Sequence, residues 1–146
     1  MAEEPAECIF CQIVRGEAES KKLYEDDEVL VILDTMPRFG QGQCVVISKR
    51  HVTRFYELED HEFCQLFRAA KVMAQKLAQT FSPDAVAMFA RGRGVPHAHV
   101  LLYPATRRSP MDRFFEGAYL FSELAKTTEE ELDSVAQRLR DASPGG

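Results

Sequence analysis

The chain has 146 residues, 45% hydrophobic and 28% charged, with 10 Phe and no Trp. That balance suits one globular domain, residues 1–146, able to bury roughly two-thirds of its unfolded surface. A net charge of -5 argues against a general nucleic-acid binder, whose electrostatic affinity requires a basic face.

No apolar run is long enough to span a membrane, and the acidic start MAEEPAE lacks the features of a secretory leader, so a cytoplasmic protein with reduced cysteines is expected. In chain order, ECIFCQIVRGEAES fits a short helix stopped at Gly16, with Cys8 and Cys11 on one face at i, i+3. KKLYED and EVLVILD read as two strands joined by the acidic turn Glu25-Asp26-Asp27, TMPRFGQG as a loop, and QCVVISK as a third strand. From about Leu58 to Phe81, apolar residues recur every three or four positions, which predicts a long amphipathic helix ended by Ser82-Pro83. DAVAMFA is a fourth strand, RGRG a tight turn and PHAHVLLYP a fifth strand. MDRFFEGAYLFSEL holds a helical turn or two, and TTEEELDSVAQRLRDA is a final helix with a capping box of Thr128 and Glu131. The whole predicts an α+β domain: an antiparallel five-stranded sheet, one long helix and a C-terminal helix. Cys44 and Cys64 are expected as buried small hydrophobes and His61 as a surface residue.

The chemistry gathers in GVPHAHVLLYP. In a strand His97, His99, Leu101 and Tyr103 share one side, while Ala98, Val100 and Leu102 face the other and pack under the long helix. A lone strand histidine is more often structural than catalytic; two in phase after a Gly-rich turn weaken that reading.

The run His-apolar-His-apolar-X-apolar-apolar-Pro resembles the signature of the histidine triad (HIT) superfamily of nucleotide hydrolases and transferases, in which X is usually a third histidine. CIFCQIVRGE, LYEDDEVLVILDTMP and VVISKRHV resemble the N-terminal half of that family, so the resemblance covers about residues 8–105 and leaves 106–146 as a C-terminal extension. It implies that His99 attacks the α-phosphorus of a nucleotide to give a nucleotidyl-histidine, passed to water or another acceptor. It also implies that Asp34 binds the ribose hydroxyls, that Ile9, Phe10 and Ile32 enclose the base, and that the protein is a homodimer through the long helix and a sheet edge. Core packing is the alternative reading of the apolar three.

Leu101 replaces the third histidine, which polarises or protonates the leaving group; leucine does neither. Gly92-Arg93 stands where the family has Gly-Gln, the polar residue of the preceding strand is lost near Ala90 or Arg91, and the loop after Asp34 is one residue longer. RGRG reads either as a solvated turn or as a phosphate site in which Arg93, with Arg91, supplies charge. The uridylyltransferase branch of the superfamily offers a precedent for a two-histidine site, and it carries a structural zinc. By that likeness Cys8, Cys11, His51 and His97 form a zinc-ligand set, two thiolates and two imidazoles; a redox Cys-x-x-Cys is the alternative.

The leading expectation is therefore a nucleotide hydrolase or nucleotidyltransferase with dinucleoside polyphosphate-like substrates and a structural zinc. The rival is a nucleotide-binding or interaction protein that has lost catalysis. A third reading makes both histidines zinc ligands alone.

Overall fold

A computed structural model describes residues 8–122 and 127–144, which fall into two compact units divided after Ser109. The first opens with helix α1 (Ile9–Val14), capped at its end by Gly16 at φ +76°, then strands β1 (Lys21–Glu25), β2 (Val29–Leu33) and β3 (Cys44–Ser48). A 3₁₀ turn at Phe55–Glu57 leads into α2 (Asp60–Phe81), followed by β4 (Ala85–Phe89) and β5 (His99–Ala105). The strands form one antiparallel sheet in the order β1-β2-β3-β5-β4, the expected five.

β2 and β3 lie at the middle of this sheet, and Val29–Ile32 and Cys44–Ser48 are buried throughout because both faces are covered. On one face Val31, Val46, Val100 and Leu102 pack under Leu66, Ala70, Met73 and Leu77 of α2. On the other, Leu30, Ile32, Val45 and Ile47 pack under Phe10 and Ile13 of α1. Each of the larger of these side chains, Val, Leu, Ile, Met or Phe, contributes about 1.5–3 kcal/mol by leaving water. β1 is the exposed edge, and its Lys21 and Lys22 discourage further strand pairing.

The long helix starts at Asp60, where the Glu59 backbone N–H donates to the Glu62 carboxylate, and ends at Ser82, which adopts the left-handed conformation before Pro83. Cys64 is exposed, against the expectation of burial. It precedes Leu66 by two positions, about 200° around the helix, so the two face opposite ways. Gly42, at φ +91°, lets the loop before β3 pass the Phe81 ring; a Cβ there would stand 2.5 Å from ring carbon Cε2.

Two boundaries differ from expectation. The connection from β4 to β5 runs over residues 90–98 rather than turning tightly at RGRG, and β5 begins at His99. The His97 N–H is used within the connection, on the Val95 carbonyl at 2.9 Å, and Pro96 has no N–H to give. In the second unit, Pro110–Ser122 forms α3, a full helix rather than a turn or two, and Glu129–Asp141 forms α4 with the Thr128 and Glu131 capping box in place.

Candidate active site and metal centre

Three separate segments bring four ligand atoms together. Cys8 and Cys11 come from the start of α1, His51 from the chain leaving β3, and His97 from the end of the 90–98 connection; Cys8, Cys11 and His97 are buried and His51 half-buried. His97 Nδ1 lies 3.1 Å from His51 Nδ1, 3.4 Å from Cys8 Sγ and 3.5 Å from Cys11 Sγ, and Cys11 Sγ lies 3.2 Å from His51 Nδ1. All four atoms fall within 4.8 Å of one another. A tetrahedral zinc with nitrogen at about 2.0 Å and sulfur at about 2.3 Å spaces its ligands by roughly 3.3–3.8 Å, so this set fits such an ion. The His97 tautomer fits as well. Its Nε2–H donates to the Ser48 carbonyl at 2.6 Å, leaving the Nδ1 lone pair facing the cluster.

His99 stays out of the cluster. Its Nδ1–H donates to the backbone carbonyl of His97 at 2.5 Å, which leaves Nε2 as the nitrogen with a free lone pair. Phe10 packs edge-on against both rings, with centroids 5.8 Å from His97 and 5.1 Å from His99. The same Phe10, with Ile9, Ile32, Asp34 and Met36, lines a cleft of about 300 Å³ between α1 and the end of β2. Thus the four positions expected to hold a nucleoside meet in one cavity, and one of them touches His99.

Asp34 is not loose in that cleft. One carboxylate oxygen accepts the Met36 N–H at 2.8 Å, and the other accepts a short hydrogen bond from the side-chain amide of Gln43, a buried residue whose own Oε1 accepts the Phe39 N–H at 3.0 Å. Gln43 is a residue that sequence reasoning missed. A lone glutamine opening an apolar strand carries no signal of the carboxylate it orients.

On its other side His99 lines a small pocket with Arg54, Phe55, Tyr56, Ala90, Arg91 and Gly92. Arg91 is therefore beside the histidine. Arg93 is exposed on the same connection and lies outside the lining of either cavity. Arg54, which sequence reasoning also passed over, reaches this pocket by donating from Nη1 to the Gly92 carbonyl at 3.1 Å. Leu101 follows His99 on the same face, half-buried, opposite Val45 of β3 and Phe89 of β4.

Residues 15–107 match the HIT domain. The chain belongs to the HIT family. A HIT-like protein of Methanocaldococcus jannaschii is 41% identical over 70 residues, 48% of this chain and 54% of that protein. The Hit protein of Bacillus subtilis is 33% identical over 102 residues, 66% of this chain and 70% of that one. An adenylylsulfatase of Arabidopsis thaliana is 29% identical over 107 residues, 70% of this chain and 54% of its own length. This HIT chain thus spans about half the length of two of these three relatives. Among solved structures, a HIT family member from Bacillus subtilis superposes with a TM-score of 0.73 at 25% identity, covering 96% of this chain and 99% of that one. A hypothetical histidine triad nucleotide-binding protein from Sulfolobus tokodaii superposes with a TM-score of 0.64 at 26% identity, covering 68% of this chain and 70% of that one. The match to the HIT domain lies within the first compact unit, and among the described residues no helix is long and apolar enough to cross a membrane.

Proposed function

We propose that this HIT domain is a nucleotide hydrolase or nucleotidyltransferase that acts at an α-phosphate through a nucleotidyl-histidine on His99. The observation that carries the reading is the Nδ1 bond of His99 to the His97 carbonyl, which fixes the tautomer with Nε2 as nucleophile. The base lies among Ile9, Phe10 and Ile32, and the ribose hydroxyls donate to Asp34, whose carboxylate Gln43 and Met36 hold in place. The phosphates then extend past His99 toward the basic connection that carries Arg91 and Arg93. Similar proteins include a hypothetical histidine triad nucleotide-binding protein and an adenylylsulfatase, which supports a nucleotide ligand.

Cys8, Cys11, His51 and His97 hold a structural zinc in this reading, which ties α1 to the connection before β5 and takes no part in the reaction. The domain works in the cytoplasm as a homodimer, binds neither nucleic acid nor membrane, and includes 106–146 as its C-terminal extension.

With Leu101 in place no side chain at that position protonates a leaving group, a loss of on the order of 10²- to 10⁴-fold where a proton is required. The substrates are accordingly dinucleoside polyphosphates or related anhydrides, and a faster rate on an adenosine phosphoramidate would contradict this. The same leucine supports a second reading, a nucleotide-binding or interaction protein without turnover. Rapid acid-free quenching after mixing with an α-labelled nucleotide separates the two. Label on His99, absent in His99→Ala, supports the enzyme; tight binding with neither label nor product supports the binder.

A further inference from the structure

We propose that Arg54 is the leaving-group residue of this site. Held beside His99 by the Gly92 carbonyl, it works with Arg91 to select substrates whose α-phosphorus carries an oxyanion leaving group, a phosphate chain or a sulfate. The inference rests on His99 being the nucleophile.

Arg54 sits three residues after His51, and its hydrogen bond to Gly92 joins the chain leaving β3 to the 90–98 connection. Only one of the five guanidinium donors is used there. Gly92 adopts φ +64°, which favours glycine for the turn, and the Arg54 side chain packs against it, since a Cβ there would stand at ordinary contact distance, 3.5 Å, from Nη1.

Three arginines of this unit lie against carboxylates: Arg15 on Glu17, Arg50 on Glu62 and Arg107 on Asp84. The Arg54 main-chain N–H donates to the Glu57 carboxylate at 2.9 Å, but its guanidinium turns instead to Gly92 and lines the His99 pocket together with Arg91. In a chain of net charge -5, two arginines lining one pocket with a histidine, neither guanidinium in an ion pair among the described residues, mark a place for an anion.

The chemistry at His99 supplies that anion. As Nε2 forms its bond to the α-phosphorus, the bond from phosphorus to the leaving oxygen breaks and the electron pair departs with that oxygen. No proton moves, so Leu101 imposes no penalty, and the growing charge falls beside Arg54 and Arg91. Water then attacks the phosphorus, the N–P bond breaks with its pair returning to Nε2, and the proton of the water passes to solvent. An amine leaving group would need a proton that neither arginine gives.

The test compares wild type, Arg54→Ala, Arg54→Lys and Arg91→Ala on three adenylyl donors: diadenosine tetraphosphate, adenylyl sulfate and adenosine phosphoramidate. Arg54→Ala is expected to lower kcat/KM for at least one anhydride by about 10- to 100-fold, with the phosphoramidate within about threefold, and Arg54→Lys to recover only part of the loss. Whether tetraphosphate or sulfate is the more affected tells which oxyanion the pair fits. A uniform fall across all three donors, with His99 still labelled, overturns the role of Arg54 and leaves the nucleophile standing. If no donor labels His99, the nucleophile fails, and calorimetry with inorganic tripolyphosphate decides the rest: about tenfold weaker binding by Arg54→Ala keeps the anion site, and unchanged binding removes it. Arg54 is exposed, so the variants fold.

Discussion

The backbone carbonyl of His97 accepts the Nδ1–H of His99 at 2.5 Å, while the ring of His97 faces Cys8, Cys11 and His51. One residue therefore belongs to the cluster of two cysteines and two histidines by its side chain and orients the neighbouring histidine by its main chain. Loosening the cluster should cost both stability and the alignment of His99.

Metal content checks the first half of that statement. About one zinc per chain is expected in the purified protein, and Cys8→Ser or Cys11→Ser should lose it. The loss should remove on the order of 3 kcal/mol, or about 10 °C in Tm, because the sheet and α2 retain their own core. Zinc retained at full stoichiometry in either variant contradicts the assigned ligands.

The loop that carries His51 and Arg54 is pinned by acid-sensitive chemistry. Arg50 Nε and Nη2 reach the Glu62 carboxylate at 2.6 and 2.5 Å, and that bond holds the Glu62 carboxyl below its ordinary value of 4.5. A depressed carboxylate stabilises the fold above its unfolded value and loses that contribution as pH falls through the folded one. Glu62→Gln should cost about 1 kcal/mol at pH 7, discounted for the half-exposed arginine, and nothing once wild-type Glu62 is itself protonated. Thermal melts of both proteins from pH 7 to pH 3 should converge at the acid end; a constant gap would mean the pair is not the cause.

Leu101→His puts an imidazole back on the same face as His99, between Val45 and Phe89. It should raise the phosphoramidate rate by about 10²-fold, the lower end of general-acid effects, and change the rate on an anhydride much less. Equal gains on both substrates would show that protonation is not what the leucine removed.

Alkylation distinguishes the two cysteines outside the cluster. Burial pushes the Cys44 thiol up to about 12, whereas Cys64 is exposed on α2. Native protein treated with iodoacetamide at pH 8 should be modified at Cys64 and spared at Cys44, read by peptide mass.

Much of the molecule is legible in its residues, for identifiable reasons. The sheet follows from strand-length apolar runs such as VLVIL and CVVIS, and α2 from the spacing of Leu66, Ala70, Met73 and Leu77. The convergence of Cys8, Cys11, His51 and His97 was readable through family likeness, since nothing local joins residues so far apart in the chain. Arg54 and Gln43 were not readable: each acts through a partner distant in sequence, Gly92 and Asp34, that only the folded register brings near. Cys64 misled because its neighbours Phe63 and Leu66 are apolar, while it lies on the opposite side of the helix from buried Leu66. The full length of α3 was hidden by Gly117 and by apolar residues such as Phe114 and Leu120 that face outward, so their spacing marks no core.

The central claim is that His99 bonds to phosphorus through Nε2, because its Nδ1 is committed to the His97 carbonyl. The direct measurement is phosphorus NMR, with peptide mapping, on protein quenched during turnover of an α-labelled anhydride. The account predicts a single phosphoramidate on His99, at Nε2, stable in alkali and lost in acid. An adduct on Nδ1, an adduct on another residue, or steady turnover by His99→Ala would contradict it.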